Sequence, residues 1–163
     1  MIGIDPFASL ISGISAINAI RFGNIEEKAL LEEVLEELKS NFKIIKKDYL
    51  ENKTPIETII PVIKIDKLEK AEKARKRKKL DFNKIKKGTI DKNCFVNEYQ
   101  FKYYSNFDIE KALLKLREKV IDIKKAKQIY FKRNKWSSKI NQKSRMNTIV
   151  YLFVLISKHL SMK

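Results

Sequence analysis

The sequence predicts an all-α fold, a helical bundle of about five helices with an irregular aromatic-rich segment at 81–107 that has room for one short hairpin. Three observations lead there. Gly and Pro together number only 7 in 163 residues, too few for the many tight turns of a sandwich or barrel. Apolar residues recur at three- and four-residue steps along most of the chain, the period of a helix with one buried face. The hydrophobic fraction of 44% supplies a real core for a chain of this length.

Asp5-Pro6 opens a first helix, since Asp accepts from free N–H groups at an N-cap and Pro is favoured at the first helical position. Phe7, Leu10, Ile11, Ile14, Ile17 and Ile20 form its apolar side, Ser9, Ser12, Ser15 and Asn18 the other, and Gly23 fits its end. Asn24, with Glu27 three residues on, is a capping pair for a second helix over 25–51. Its seam is Leu31, Val34, Leu38, Phe42, Ile45 and Tyr49, and its charge passes from glutamates to lysines, as the helix dipole favours. Thr54-Pro55-Ile56-Glu57 signals another helix start. Residues 59–65 fit a short buried strand or a helix, but Pro61 disfavours a central strand. The predicted course is a helical turn, a kink at Pro61, and a helix to about Leu80.

Residues 81–107 hold seven of the 16 aromatic side chains. Short helices or one hairpin both fit, and Tyr99, Phe101 and Tyr103 alternate as in a strand. Asp108 caps a long helix whose apolar side is Ile109, Leu113, Leu116, Val120, Ile123 and Tyr130. Residues 134–138 read as a turn, and a last helix spans about 138–160. Its run Ile149–Ile156 is apolar all round, which places it at the centre of a bundle or at a subunit interface. The chain thus reads as one domain, 1–163: an apolar first helix (1–23), a helical hairpin ending in a basic cluster (24–80), the irregular segment (81–107) and a second helical hairpin (108–163).

The 36 basic and 20 acidic side chains leave a net charge of +16. Residues 1–40 carry a net −4 and residues 41–163 a net +20, so an acidic partner would meet the later part of the chain. Cys94 is the only cysteine, which rules out an intrachain disulfide and fits a reducing compartment. The N-terminus has no basic stretch of the secretory kind, and no apolar run approaches the ~20 residues of a membrane span. An intracellular, cytoplasmic location is the expectation.

Little in the sequence points to catalysis. His159, the only histidine, reads as a surface side chain in a fraying last turn, with no nucleophile elbow to make a triad of it. One Cys and one His do not make the usual zinc set. The isolated Gly3, Gly13, Gly23 and Gly88 form no phosphate loop. Asp122-Ile123-Lys124 and Glu26-Glu27-Lys28 have the acid-x-Lys spacing of metal nucleases, but both fall on predicted helices, where that signature needs a strand. The expectation is a non-enzymatic protein with no metal and no cofactor.

Binding candidates are stronger. Lys73, Arg75, Lys76, Arg77, Lys78 and Lys79 form a run suited to neutralising phosphates, or else a solvated helix end. Lys132, Arg133 and Lys135, with Tyr130, Phe131 and Trp136 among them, mix cations with rings that either stack bases or belong to the core. Phe7, Leu10, Ile11, Ile14 and Ile17 form a face for a protein partner or a membrane, or pack in the protein's own bundle.

The stretch Ile4-Asp5-Pro6-Phe7-Ala8-Ser9-Leu10-Ile11-Ser12-Gly13-Ile14, followed by a charged helix, resembles the opening of HeLo-type helical domains, cell-death effector domains whose N-terminal apolar helix attacks membranes. The resemblance covers about 20 residues, assigns no site, and does not extend to the long basic region. The function these features suggest is a basic helical accessory or structural subunit of a larger assembly, contacting nucleic acid and another protein chain. The alternative is a membrane-active effector drawn to an anionic bilayer.

Overall fold

The structure, a computed structural model, describes the backbone of residues 25–133 and 139–162, and their side chains outside 127–141. The predicted first helix with Phe7, Leu10, Ile11, Ile14 and Ile17, and the predicted turn at 134–138, lie outside the described residues. Among the described residues there are six α-helices and no strand. They are α1 (Ile25–Ile44), α2 (Ile56–Ile59), α3 (Asp66–Lys76), α4 (Glu98–Tyr104), α5 (Ile109–Arg133) and α6 (Lys139–Ser161).

The α1 seam is buried as its spacing predicts: Leu31, Val34, Leu38, Phe42 and Ile45 are all closed to solvent. A π-helical turn, Ile45–Glu51, extends α1 to the predicted end, and there Tyr49 donates to Asn147 Oδ1 (3.0 Å). Residues 59–65 form no strand. α2 passes into a 3-10 turn at Ile60–Val62, containing Pro61, and Ile63 is extended before α3 begins. α3 stops at Lys76, four residues short of the predicted Leu80, in a turn described below.

Tyr99, Phe101 and Tyr103 lie on α4, not on a strand. The reason is local: Asn97 Oδ1 accepts from Gln100 N (2.9 Å), an N-cap that starts a helix. The rest of 81–107 is irregular, as predicted, with 3-10 turns at Phe82–Lys84 and Lys92–Cys94 started by Asp81 and Asp91, whose carboxylates accept from Asn83 N and Asn93 N. In place of a hairpin there is one isolated antiparallel bridge, Thr89 with Asp108. Asp108 Oδ1 accepts from Lys111 N (2.8 Å) and caps α5, as expected.

Polar pairings show how the helices run. Arg145 of α6 donates to the Asp122 carbonyl of α5, while His159 lies near Asp108, so α5 and α6 are antiparallel. Arg75 pairs with Glu110, and Arg117 with Glu69, which makes α3 antiparallel to α5. α1 and α3 are antiparallel as well, because Asn41 faces Lys64 and Glu33 faces Lys70.

One core runs from Leu31 to Leu160 through all of these helices except α4. In the apolar run of α6, Ile149, Leu152, Phe153, Leu155 and Ile156 are buried, and Val150, Tyr151 and Val154 are half-buried. The helix is central, as its all-round hydrophobicity predicts. No helix among the described residues is long and apolar enough to cross a membrane.

Candidate polyanion-binding end of the bundle

The basic run occupies the end of α3 and the turn beyond it. Lys79 N donates to the Ala74 carbonyl (2.9 Å) and Lys78 N to that of Arg75 (2.8 Å), the paired bonds of a Schellman closure. Lys78 takes the left-handed position of that closure, with φ 58°, where Gly is the usual residue because it has no Cβ to clash. The turn directs the chain sideways and presents Arg77, Lys78 and Lys79 to solvent at the helix end.

The structure divides the six cations by role. Arg75 pairs with Glu110 in the first turn of α5 (3.1 Å), and Lys76 with Glu72 one turn back (3.2 Å). Arg75 is half-buried, whereas Lys76 is exposed but matched by the largely buried Glu72. Lys73, Arg77, Lys78 and Lys79 are exposed and have no ion pair among the described residues. Arg117 does for α3 what Arg75 does for α5: its Nη2 lies 3.2 Å from Glu69 and its Nε 2.8 Å from the largely buried Glu72.

The acidic groups are engaged elsewhere. Glu27, expected to turn back onto its own helix start, instead accepts from Asp81 N (2.9 Å) and from Lys84 Nζ (2.6 Å). Glu37 accepts from Lys67 N and Leu68 N (both 3.0 Å), so a carboxylate of α1 caps the free N–H groups of α3. A hydrogen bond from Lys67, with Lys70 close by, holds the Glu33 carboxyl below the usual carboxylate range. Asn41 accepts from Lys64 N (2.9 Å) and donates to the Lys64 carbonyl. Glu27, Glu33 and Glu37 of α1 thus clamp residues 64–84 through partners other than Lys73, Arg77, Lys78 and Lys79.

A cleft of about 640 Å³ lies beside the Schellman turn, lined by Glu26, Glu27, Arg75, Lys78, Lys79, Leu80, Asp81 and Lys84. Its lining is mixed in sign, so the uncompensated charge sits on its rim, at Lys78 and Lys79. A second groove of about 640 Å³, between Tyr49, Leu50, Pro55, Ile56, Gln142 and Asn147, lies at the opposite end of the bundle.

The other sequence candidates fare differently. Lys132 and Arg133 lie on the last turn of α5 with undescribed side chains, and Lys135 lies outside the described residues. They are therefore not brought to the α3 cluster by any described contact. Asp122-Ile123-Lys124 and Glu26-Glu27-Lys28 are on helices, as predicted. Among the described residues, no three His, Cys, Asp or Glu side chains gather as metal ligands would.

His159 is not a surface residue. It is 2% exposed, and neither ring nitrogen has a hydrogen-bond partner. Residues 82–95 pack over the end of α6: Lys86 Nζ donates to the Met162 carbonyl, and Cys94 Sγ lies 3.3 Å from Met162 Sδ. Burial, with Lys86 nearby, lowers the imidazole pKa to about 4. Burial also pushes the Cys94 thiol and the Tyr151 hydroxyl up. Thiol and imidazole are both held neutral, the reverse of an activated thiolate–imidazolium pair.

Compared with protein-family models, curated proteins and solved structures, the chain matches none of them.

Proposed function

We propose that this is a non-enzymatic, basic helical protein that binds nucleic acid through the phosphate backbone and serves as an accessory subunit of a larger assembly. The observation that carries the reading is the set Lys73, Arg77, Lys78 and Lys79, exposed and unpaired at one helix end while neighbouring cations are matched with carboxylates.

The test is binding of labelled duplex and single-stranded oligonucleotides over a salt series, with anionic vesicles in parallel. Affinity should fall steeply with salt, and Lys73→Gln/Arg77→Gln/Lys78→Gln/Lys79→Gln should flatten the slope by about 3 to 4 units in log K against log salt. No nucleic-acid binding at low salt would refute the proposal. Vesicle leakage that depends on residues 1–23 would favour the membrane-active alternative.

A further inference from the structure

We infer that α4 holds unpaired bases: Tyr99 and Tyr103 on one face of the helix, and Phe101 with Val96 beside a lysine-lined cleft on the other, form a two-sided stacking platform for single-stranded nucleic acid. The inference rests on the nucleic-acid reading and narrows its ligand. Four of the seven exposed large hydrophobic residues among those described fall within eight positions: Val96 (63% exposed), Tyr99 (70%), Phe101 (38%) and Tyr103 (57%). An apolar cluster of this kind on a charged protein marks a contact surface.

The platform is preorganised. Tyr99 and Tyr103 are one helical turn apart, with ring centroids at 4.7 Å, and Phe101 meets Phe95 edge-on at 5.3 Å. α4 is held at both ends. Asn97 caps its start, and at its end Tyr104 wedges between Phe107 (5.1 Å) and Tyr151 of α6 (5.5 Å). Rings fixed in this way lose little freedom when a base stacks on them.

Cations identify the occupant. Lys92 Nζ sits 5.8 Å from the Phe101 ring centre, and Lys92 and Lys102 line a cleft of about 530 Å³ with Phe95, Val96 and Phe101, where Glu98 is the sole acid. Lysines framing exposed rings suit a strand whose phosphates need neutralising while its bases need a π-face. The core of a protein interface is depleted of charge instead. A duplex hides the faces of its bases, so the platform selects single strands. α4 leads through Asp108 into the first turn of α5, and its last residue, Tyr104, rests against Tyr151 with Lys115 and Glu118 near it.

The experiment compares three labelled probes in fluorescence anisotropy at low salt: an oligothymidine of about 12 nucleotides, an abasic strand with the same number of phosphates, and a duplex of equal length. Wild type should favour the oligothymidine over the abasic strand on the order of ten-fold or more. Tyr99→Ala/Tyr103→Ala should erase that ratio while leaving abasic binding in place, and Tyr99→Phe/Tyr103→Phe should keep it. The four-residue glutamine variant should weaken all three probes while the ratio survives. Equal wild-type affinity for oligothymidine and abasic strand would overturn the platform and leave backbone binding standing. A wild-type dimer that dissociates in the double alanine variant would overturn it in favour of a protein contact. If no probe binds, the nucleic-acid reading falls, and this inference with it.

Discussion

Lowering the pH should destabilise this protein well above the range where its carboxylates titrate, and His159 is the reason. Its imidazole is 2% exposed, has no hydrogen-bond partner on either nitrogen, and has a pKa of about 4 against an ordinary 6.5. Burial is the main cause; Lys86 adds to it, while Asp91 and Asp108 oppose it. The unfolded chain takes up the proton as pH falls through 6.5, and the folded chain only near 4. Stability is therefore full above about pH 7, falls steadily through this window, and from this group alone levels off below 4. Between pH 8 and pH 5 the loss comes to about 2 kcal/mol. With a urea slope of ~2 kcal/mol/M, the unfolding midpoint should drop by about 1 M. Glu33 and Glu118 also lose stabilisation in acid, but their folded pKa values lie below the ordinary 4.5, so their effect begins only as pH approaches that value. The assay is urea unfolding at pH 8, 6 and 5, repeated on His159→Leu. In that variant the midpoint should be flat over the window, with stability at pH 8 unchanged or raised, since the unpaired nitrogens are gone. A flat wild-type midpoint, or an equal slope in His159→Leu, would refute the burial argument.

Three further predictions concern the clamps of the fold. Arg117→Ala leaves Glu69 and the largely buried Glu72 without this partner and should cost about 2 kcal/mol in chemical unfolding; Arg117→Ala/Glu72→Gln should recover part of it. Asn41→Leu strands the Lys64 N–H and carbonyl and should cost about 2 kcal/mol, visible as faster amide exchange at Lys64. Lys78→Gly relieves the left-handed strain at φ 58° and should raise stability by about 1 kcal/mol while weakening oligonucleotide binding, since one exposed cation is lost.

By itself the sequence determined the three long helices. Periodicity located α1 with its continuation to Glu51, as well as α5 and α6, because a buried stripe of Leu31, Val34, Leu38 and Phe42 is a local property with a 3.6-residue period. The all-round apolar stretch of α6 announced its central place for the same reason. The basic run was legible as a run, and α4 could have been read as well: Asn97 with Gln100 three residues on is a capping signature that outweighs the alternation of Tyr99, Phe101 and Tyr103.

Tertiary structure alone decided which charges are free. Glu27, Glu37, Glu33 and Asn41 look like a solvated helix face, yet they meet residues 64–84, from 23 to 57 positions along the chain. Arg75 and Arg77 are alike in sequence, but one is neutralised by Glu110 and the other faces solvent. His159 is one residue from Lys158 near the chain end, yet it is buried, with Lys86, Asp91 and Asp108 near it from elsewhere in the chain. Pairing and burial depend on groups distant in sequence that meet when the helices dock, and no local pattern encodes that meeting.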